Sequence, residues 1–274
     1  MSTGLLRNTT DEFFTNTDVA LSCIKLFREH IEPSPNDIII EPSAGSGSFS
    51  LHLHGNIYAF DIKSRHDSIM EKDFLTLPYS DWFQDTIISK NVPIHVIGNP
   101  PFGRQSCLAK KFIKLCSTFS SSISFILPKS FKKDSFQMTF PLHFHKVHES
   151  DIPSGSFTIG DKIHDVPCVF QIWKKESILR KQPLEQEPNG FVFCKKEDDP
   201  DFALRRVGVY AGKLVSNFLD VSPQSHYFIK INKKITKQQF ILLYNEITFD
   251  HNNTVGPRSI STKEFIAKIN SVIQ

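Results

Sequence analysis

The residues with the most distinctive chemistry follow an apolar run near the middle of the chain. The run from Ile94 to Ile97 leads into Asn99, Pro100, Pro101 and Phe102. Both prolines lack a backbone N–H and hold φ at about −65°, and Pro100 disfavours a helical Asn99. These residues predict a stiff, extended segment where a buried strand ends, with an amide at one end and an aromatic ring at the other. In open α/β sheets, ligands bind at that edge.

A glycine-containing loop follows an earlier β-branched run. Residues 37–40 (Asp-Ile-Ile-Ile) precede the loop Glu41, Pro42, Ser43, Ala44, Gly45, Ser46, Gly47. The pattern predicts a strand, a tight loop that a ligand can approach closely, and the start of a helix near Phe49. Ser50 occupies the place of a third glycine, so the loop is not a dinucleotide fingerprint.

Two acids follow the next predicted strands. Asp61 ends the short run 56–61, where an acid is well placed to accept hydrogen bonds from a ribose diol, although a helix cap is the simpler alternative. Asp73 stands next to Phe74 further along. If the strands are parallel, these acids lie at the same sheet edge as the glycine loop and Asn99.

The elements that must position these residues alternate between strands and helices. Amphipathic helices are predicted from Thr17 or Asp18 to about His30 and over residues 105–119, and a further strand over residues 123–127. Apolar stretches around residues 144–147 and 166–173 continue the pattern. The expected fold class is α/β, with a mostly parallel central sheet and helices on both faces.

The chain of 274 residues is long enough for one large domain and a small appendage. We expect a catalytic domain over residues 1–175. A polar, proline-containing stretch at residues 181–190 is typical of a linker, so residues 176–274 would form a small C-terminal module. Short strands and two closing helices, near residues 236–244 and 261–273, are predicted there.

Cysteine usage and hydropathy bear on the compartment. The five cysteines are odd in number, and none forms a C-x-x-C pair, which favours free thiols in a reducing environment. The first residues contain no long apolar segment, and no run approaches the length of a membrane span. We therefore expect a cytoplasmic or nuclear protein with no membrane association. No metal-ligand spacing and no G-x-S-x-G motif is present, so neither zinc nor serine hydrolase chemistry is supported.

Taken together, the motifs over about residues 11–175 resemble those of the class I S-adenosylmethionine-dependent methyltransferases, in the N6-adenine branch. The resemblance implies a Rossmann-like methyltransferase fold and S-adenosyl-L-methionine as cofactor. Asn16 departs from the family, which usually has proline after the threonine of its upstream cofactor motif. The cofactor-binding residues implied by the resemblance are Phe14, Thr15, Glu41, Pro42, Ser43, Ala44, Gly45, Gly47, Asp61, Ile62, Asp73, Phe74 and Asn99.

The resemblance also implies the catalytic residues Asn99, Pro100, Pro101 and Phe102. The exocyclic amine of adenine is a poor nucleophile because its lone pair is delocalised into the ring. The Asn99 side-chain oxygen and the Pro100 carbonyl would accept its two protons, and the prolines would hold that carbonyl rigidly. Phe102 would stack on the base, which must be flipped out of a duplex.

Charge favours a nucleic-acid substrate more by its distribution than by its total, a formal net charge of +3. Residues 104–133 contain basic residues and no acid, and Arg104, Lys129 and Lys132 are the candidates for phosphate contacts. Arg205 and Arg206 are candidates in the C-terminal module. Target recognition and a structural cap on the sheet are equally good interpretations of that module. A solvated helix face is the alternative for the lysines at 110, 111 and 114.

Several functions stay open at this stage. Methylation of adenine N6 in DNA is favoured, and the same motif serves RNA adenine methyltransferases. Guanine N2 and protein glutamine are other planar targets. A catalytically silent nucleic-acid-binding partner with the same fold is the alternative from a different class. The oligomeric state is not indicated by the sequence.

Overall fold

The computed structural model describes residues 13–160, 162–182, 185–217, 220–232, 234–250, 253 and 257–273. The chain divides into two compact units, one ending at Gln182 and the other beginning at Pro183. Among the described residues, no helix combines the length and the hydrophobicity that crossing a bilayer requires. Residues 1–12, on which the expectation about a signal segment depends, lie outside the described residues.

The first unit alternates strands and helices, as the sequence predicts. Its elements are β1 (Phe14–Thr15), α1 (Thr17–Ile31), β2 (Ile38–Glu41), β3 (Asn56–Asp61), β4 (Met70–Glu71), α2 (Asp81–Thr86), β5 (Ile94–Gly98), α3 (Cys107–Cys116), β6 (Ser122–Pro128), α4 (Asp134–Gln137), β7 (Phe144–Asp151), β8 (Phe157–Ile159), β9 (Lys162–His164) and β10 (Cys168–Lys175).

A seven-stranded sheet in the order β4-β3-β2-β5-β6-β10-β7 forms the centre of this unit. Neighbours from β4 to β6 pair in parallel, and β10 runs antiparallel to both β6 and β7. The expected α/β, Rossmann-like fold with a mostly parallel sheet is thus confirmed. Strand order reverses between β2 and β5, and in open α/β sheets the crevice at such a point binds ligands.

Burial explains the strands and helices that carry the site. Residues Ile38–Ile40 of β2 are buried, as expected for a central strand that is covered on both faces. Helix α1 buries Ala20, Cys23, Ile24, Phe27 and Ile31, which recur at helical spacing. The helix predicted from residue 105 begins only at Cys107, because Gln105 and Ser106 have positive φ.

The helix predicted after the glycine loop is wrong. Residues Ser50–His52 form one 3₁₀ turn, and Leu53 is already extended. Strand β3 begins at Asn56, so too few residues follow Gly47 for an α-helix of ordinary length.

Two further sheets complete the described structure. In the first unit, β1, β8 and β9 form a small antiparallel sheet. The second unit has a four-stranded antiparallel sheet in the order β11-β14-β12-β13 and its own core, which includes Phe191, Phe240 and Phe265. Its elements are β11 (Phe191–Cys194), β12 (Phe202–Arg205), β13 (Leu214–Val215), β14 (His226–Ile231), α5 (Lys237–Glu246) and α6 (Thr262–Asn270).

Candidate active site

A cavity of about 340 Å³ lies where β2, β3 and β5 end. Its volume falls in the range of small-molecule sites. Of the residues that the sequence singled out, the lining includes Phe14, Thr15, Glu41, Ser43, Ala44, Gly45, Asp61, Ile62, Asp73, Phe74, Asn99 and Pro101. Pro42, Gly47, Pro100 and Phe102 are not among the lining residues. Motifs far apart in the sequence therefore meet at one edge of the sheet.

The nitrogen of the Asn99 side-chain amide is hydrogen-bonded within the protein, whereas no described residue donates a hydrogen bond to its oxygen. Its Nδ2 donates a hydrogen bond to Thr15 Oγ1 at 3.1 Å and makes a longer contact of 3.5 Å with the Phe13 carbonyl. Its Oδ1 is buried and accepts no hydrogen bond from any described residue. Most buried polar atoms are hydrogen-bonded, so an acceptor left open at a cavity wall is suited to a ligand donor.

The backbone of the Asn-Pro-Pro-Phe segment is also fixed. Ser43 Oγ donates to the Asn99 carbonyl at 3.2 Å, which ties the segment to the glycine loop. Pro100 is buried and Pro101 is half-buried. Phe102 is only 8% exposed, and its ring stacks on that of Phe13 with centroids 6.3 Å apart. Of these two stacked residues, only Phe13 is among the lining residues of the cavity.

The glycine loop and Asp61 are joined directly. Gly45 N–H donates to Asp61 Oδ2 at 2.7 Å, and Lys63 N–H donates to Asp61 Oδ1 at 2.9 Å. Gly45 has φ of +55°, and a Cβ there would lie 3.1 Å from the Phe14 ring, so a larger residue would be both strained and crowded. Each carboxylate oxygen keeps a lone pair for a further donor, because it can accept two hydrogen bonds.

Glu41 is a buried acid at the cavity, and its pKa is shifted by its surroundings. Burial raises its pKa to about 8, and hydrogen bonds from Ser50 oppose that rise. The Ser50 N–H donates to Glu41 Oε2 at 2.8 Å. At neutral pH the carboxyl group is therefore mainly protonated and acts as a neutral polar group beneath the loop.

The other predicted cofactor residues differ in exposure. Ile62 is 74% exposed at the rim of the cavity. Asp73 is exposed, and its Oδ1 accepts a hydrogen bond from the Leu75 N–H at 3.0 Å. Phe74 is buried and stacks on Phe112 with centroids 6.2 Å apart. Phe74 is thus part of the core as well as of the lining.

Sequence reasoning missed several lining residues, among them Phe13, Phe49, Arg65, Leu108 and Phe112. The Arg65 guanidinium lies 4.3 Å from the centroid of the Phe14 ring. Phe13 was adjacent to a predicted residue, and Phe112 was on the predicted apolar stripe of α3. Arg65 carried no sequence signal, because its place at the cavity depends on how the segment after β3 folds.

The predicted phosphate contacts in the first unit have different surroundings. Lys129 and Lys132 both pair with Asp151, at 3.3 Å and 2.7 Å. Burial alone would raise the pKa of Asp151, but hydrogen bonds from the two lysines outweigh that effect and lower it. Arg104 is exposed. Part of the positive charge expected near the catalytic motif is therefore neutralised within the protein.

In the second unit, Arg205 and Arg206 are half-buried. Arg205 Nε donates to the Val207 carbonyl at 2.8 Å, and Arg206 Nε donates to the Gln224 carbonyl at 3.0 Å. These contacts hold each guanidinium group in place and use only one of its donors.

A hydrogen-bonded Asp-His-Ser set lies at the amino ends of β2, β5 and β6. His95 contacts Asp37 Oδ2 at 3.1 Å through Nε2 and Ser122 Oγ at 2.8 Å through Nδ1. Burial lowers the pKa of His95, although Asp37 opposes the shift. Ser122 is fully buried at the edge opposite the cavity, so this set satisfies polar groups in the core and does not reach a substrate.

Within the described part of the chain, no group of three or more His, Cys, Asp or Glu residues is arranged to hold a metal ion.

Comparisons with known proteins find distant similarity in structure. No protein-family model matches the chain, and no curated protein does so. A Pyrococcus horikoshii protein provisionally classed as an RNA methyltransferase is 14% identical, with a TM-score of 0.41 over 63% of this chain and 92% of that one. A Listeria monocytogenes protein provisionally classed as a class I S-adenosylmethionine-dependent methyltransferase is 14% identical, with a TM-score of 0.44 over 64% of each chain.

The methyltransferase subunit of a type I restriction-modification system from Streptococcus thermophilus is 12% identical, with a TM-score of 0.37. That similarity covers 88% of this chain and 55% of the subunit, so the chain spans little more than half of its length. At these identities and TM-scores the similarity concerns the fold alone, which the strand order of this chain establishes by itself.

Proposed function

We propose that the chain is an S-adenosyl-L-methionine-dependent methyltransferase that transfers a methyl group to N6 of adenine in nucleic acid, with DNA favoured over RNA. The proposal combines an N-terminal cofactor cavity with an amide acceptor at its wall. The basic residues of the second unit are the reason for preferring a polymer substrate, and DNA in particular, to a free base.

The observation that carries the proposal is the buried Oδ1 of Asn99, which accepts no hydrogen bond from the described residues. Its Nδ2 is already engaged by Thr15, so the amide presents an acceptor, and not a donor, to an incoming group. An exocyclic amine offers two N–H donors. Accepting one of them at Asn99 Oδ1 draws electron density towards the nitrogen, and the Pro100 carbonyl is the proposed acceptor for the other.

The residues at the cavity fit the cofactor. Asp61, oriented by two backbone N–H groups, is the proposed acceptor for the ribose hydroxyls. The Gly45 loop lets the methionine part approach the backbone, and Phe13, Phe14 and Phe49 line the cavity, where aromatic rings suit a cation. When bound, the cofactor would supply an electrophilic methyl group on a sulfonium, and Asn99 would orient the amine towards it.

Stacking of the target base is proposed for the aromatic residues next to Asn99. Phe102 is the residue that the sequence favours, and Phe13 both stacks on it and lines the cavity. A planar target would suit adenine, guanine N2 and protein glutamine alike. The identity of the methylated atom must therefore be measured.

The direct experiment is incubation with methyl-labelled cofactor and separate DNA and RNA pools, followed by nucleoside analysis. We expect labelled N6-methyladenosine in the deoxy form. Asn99→Ala should lose methyl transfer while retaining cofactor binding, and Asn245→Ala, an exposed residue of α5, should match the wild type. Label in the ribonucleoside would transfer the proposal to RNA. No cofactor binding by the wild type would favour the silent-partner alternative, and an active Asn99→Ala would refute the role of Asn99.

A further inference from the structure

The second unit carries a turn whose tip is both aromatic and exposed. Tyr210 is 71% exposed and Val209 is 77% exposed. Residues 202–219 contain Arg205, Arg206 and Lys213 and no acid. We define the basic turn as residues 205–213 together with Arg258, whose carbonyl accepts a hydrogen bond from the Gly208 N–H at 2.9 Å.

The basic turn is held in one conformation by its own unit. Gly212 N–H donates to the Arg205 carbonyl at 2.8 Å, and Lys213 N–H donates to the Tyr210 carbonyl at 2.9 Å. The Gly212 carbonyl accepts a hydrogen bond from the Tyr244 hydroxyl, and Ala211 is buried. The tip is therefore presented by a fixed backbone, so a ligand that binds there has little conformational entropy to remove.

Three other cations of the second unit are paired with acids. The distance from the ammonium nitrogen to a carboxylate oxygen is 3.6 Å for Lys230 and Asp199, 2.5 Å for Lys237 and Asp201, and 2.6 Å for Lys263 and Glu185. Among the described residues, no carboxylate is within ion-pair distance of Arg205, Arg206, Lys213 or Arg258. Their charge is therefore not compensated by a described acid.

Two aromatic rings lie among these cations. The Lys213 ammonium is 5.9 Å from the centroid of the Tyr210 ring, and the Arg206 guanidinium is 5.5 Å from that of Tyr227. Uncompensated cations suit phosphates, and an exposed ring suits the face of a base. In a duplex the base faces are covered by their neighbours, so a ring can stack only where bases are unpaired.

We propose that the basic turn binds an unpaired stretch of DNA, with Lys213 and the arginines at phosphates and Tyr210 stacked on a base. The choice of DNA over RNA rests on the proposed function, whereas the preference for unpaired bases rests on the turn itself. The surface belongs to the second unit and is additional to the cofactor cavity.

Binding of the full-length protein to a labelled single-stranded DNA oligonucleotide, measured by fluorescence anisotropy without cofactor, tests the stacking. Tyr210→Ala should weaken binding roughly 5- to 100-fold, which corresponds to the loss of one base–aromatic stack. Tyr210→Phe keeps the ring and should bind as the wild type does. Tyr79→Ala removes a tyrosine of the first unit that is 78% exposed and should have no effect.

Salt dependence tests the phosphate contacts. For a single strand, Lys213→Ala should reduce the slope of log K against log salt concentration by about 0.7, the value for one phosphate contact. Lys263→Ala, whose ammonium is paired with Glu185, is the matched control and should leave the slope unchanged.

Three results would overturn the inference: equal effects of Tyr210→Ala and Tyr79→Ala, an unchanged salt slope for Lys213→Ala, or tighter binding of the matched duplex than of the single strand. Tighter binding of the matched RNA would overturn DNA as the occupant. Because binding is measured without methyl transfer, failure here is distinguishable from failure of the Asn99→Ala experiment.

Discussion

Thr15 provides a sharp test of how the Asn99 amide is oriented. Its hydroxyl accepts the hydrogen bond from Asn99 Nδ2 at 3.1 Å, and the only other described partner of Nδ2 is the Phe13 carbonyl at 3.5 Å. Thr15→Val removes that acceptor and keeps both the size and the β-branched shape of the side chain, which suits strand β1. Nδ2 then retains only the longer contact, and the amide is free to turn its donor towards the cavity.

The expected size of the effect of Thr15→Val follows from the free-energy cost of a buried donor without a good acceptor, which is about 1–3 kcal/mol. If that cost is borne in the transition state, the rate of methyl transfer falls roughly 5- to 100-fold. Cofactor affinity should change much less, because the bond that is lost lies within the protein. Thr15→Ser keeps the hydroxyl and should recover most of the rate.

Single-turnover methyl transfer with saturating cofactor measures this rate, and isothermal titration calorimetry measures cofactor affinity separately. A thermal unfolding midpoint close to that of the wild type would establish that both variants are folded. The reasoning is refuted if Thr15→Val transfers methyl groups as fast as the wild type, or if Thr15→Ser is as slow as Thr15→Val.

Three more predictions concern acids and a histidine of the first unit. Asp61→Asn should weaken cofactor binding about 10- to 100-fold in calorimetry, since charge-assisted hydrogen bonds contribute about 1.5–3 kcal/mol; unchanged affinity would exclude Asp61 as the ribose acceptor. Glu41→Gln should become more stable relative to the wild type as pH rises from about 4.5 to about 8, because the folded pKa of Glu41 is raised and the wild type must keep a proton that the unfolded chain releases. The difference in unfolding free energy should grow by about 1.4 kcal/mol per pH unit in that window, and a difference that is independent of pH in denaturant titrations would contradict the assignment. His95→Ala should lower the free energy of unfolding by about 2–5 kcal/mol without altering cofactor affinity, because it removes a core ring, the Nδ1 contact of the buried Ser122 and one of the two described hydrogen-bond partners of Asp37; a loss below 1 kcal/mol would count against that network.

The sequence was sufficient for the fold class and for the edge of the sheet at which the motifs meet. Runs such as Ile38–Ile40 and Ile94–Ile97 are apolar enough to be central strands, and proline or glycine ends each of them. Local signals of this kind depend on a few neighbouring residues, so they can be recognised without knowledge of the rest of the chain. For the same reason Asn99 could be recognised as the end of a strand before its surroundings were known.

Contacts between distant segments could not be predicted from such local signals. The amide of Asn99 is oriented by Thr15, far earlier in the chain, and Asp151 pairs with two lysines that the local charge pattern had left uncompensated. Phe102 is packed against Phe13 because strand β1 returns to the sheet edge through its pairing with β8.

The sequence by itself thus determined which residue types stand at the ends of the parallel strands. Only the tertiary structure decided which of their polar atoms are satisfied within the protein and which remain open. Hydrogen bonding and charge pairing depend on distances of a few ångströms between segments that the fold brings together, and no local pattern encodes those distances. Among the described residues, Asn99 Oδ1 and the basic turn are where that distinction leads us to propose a ligand.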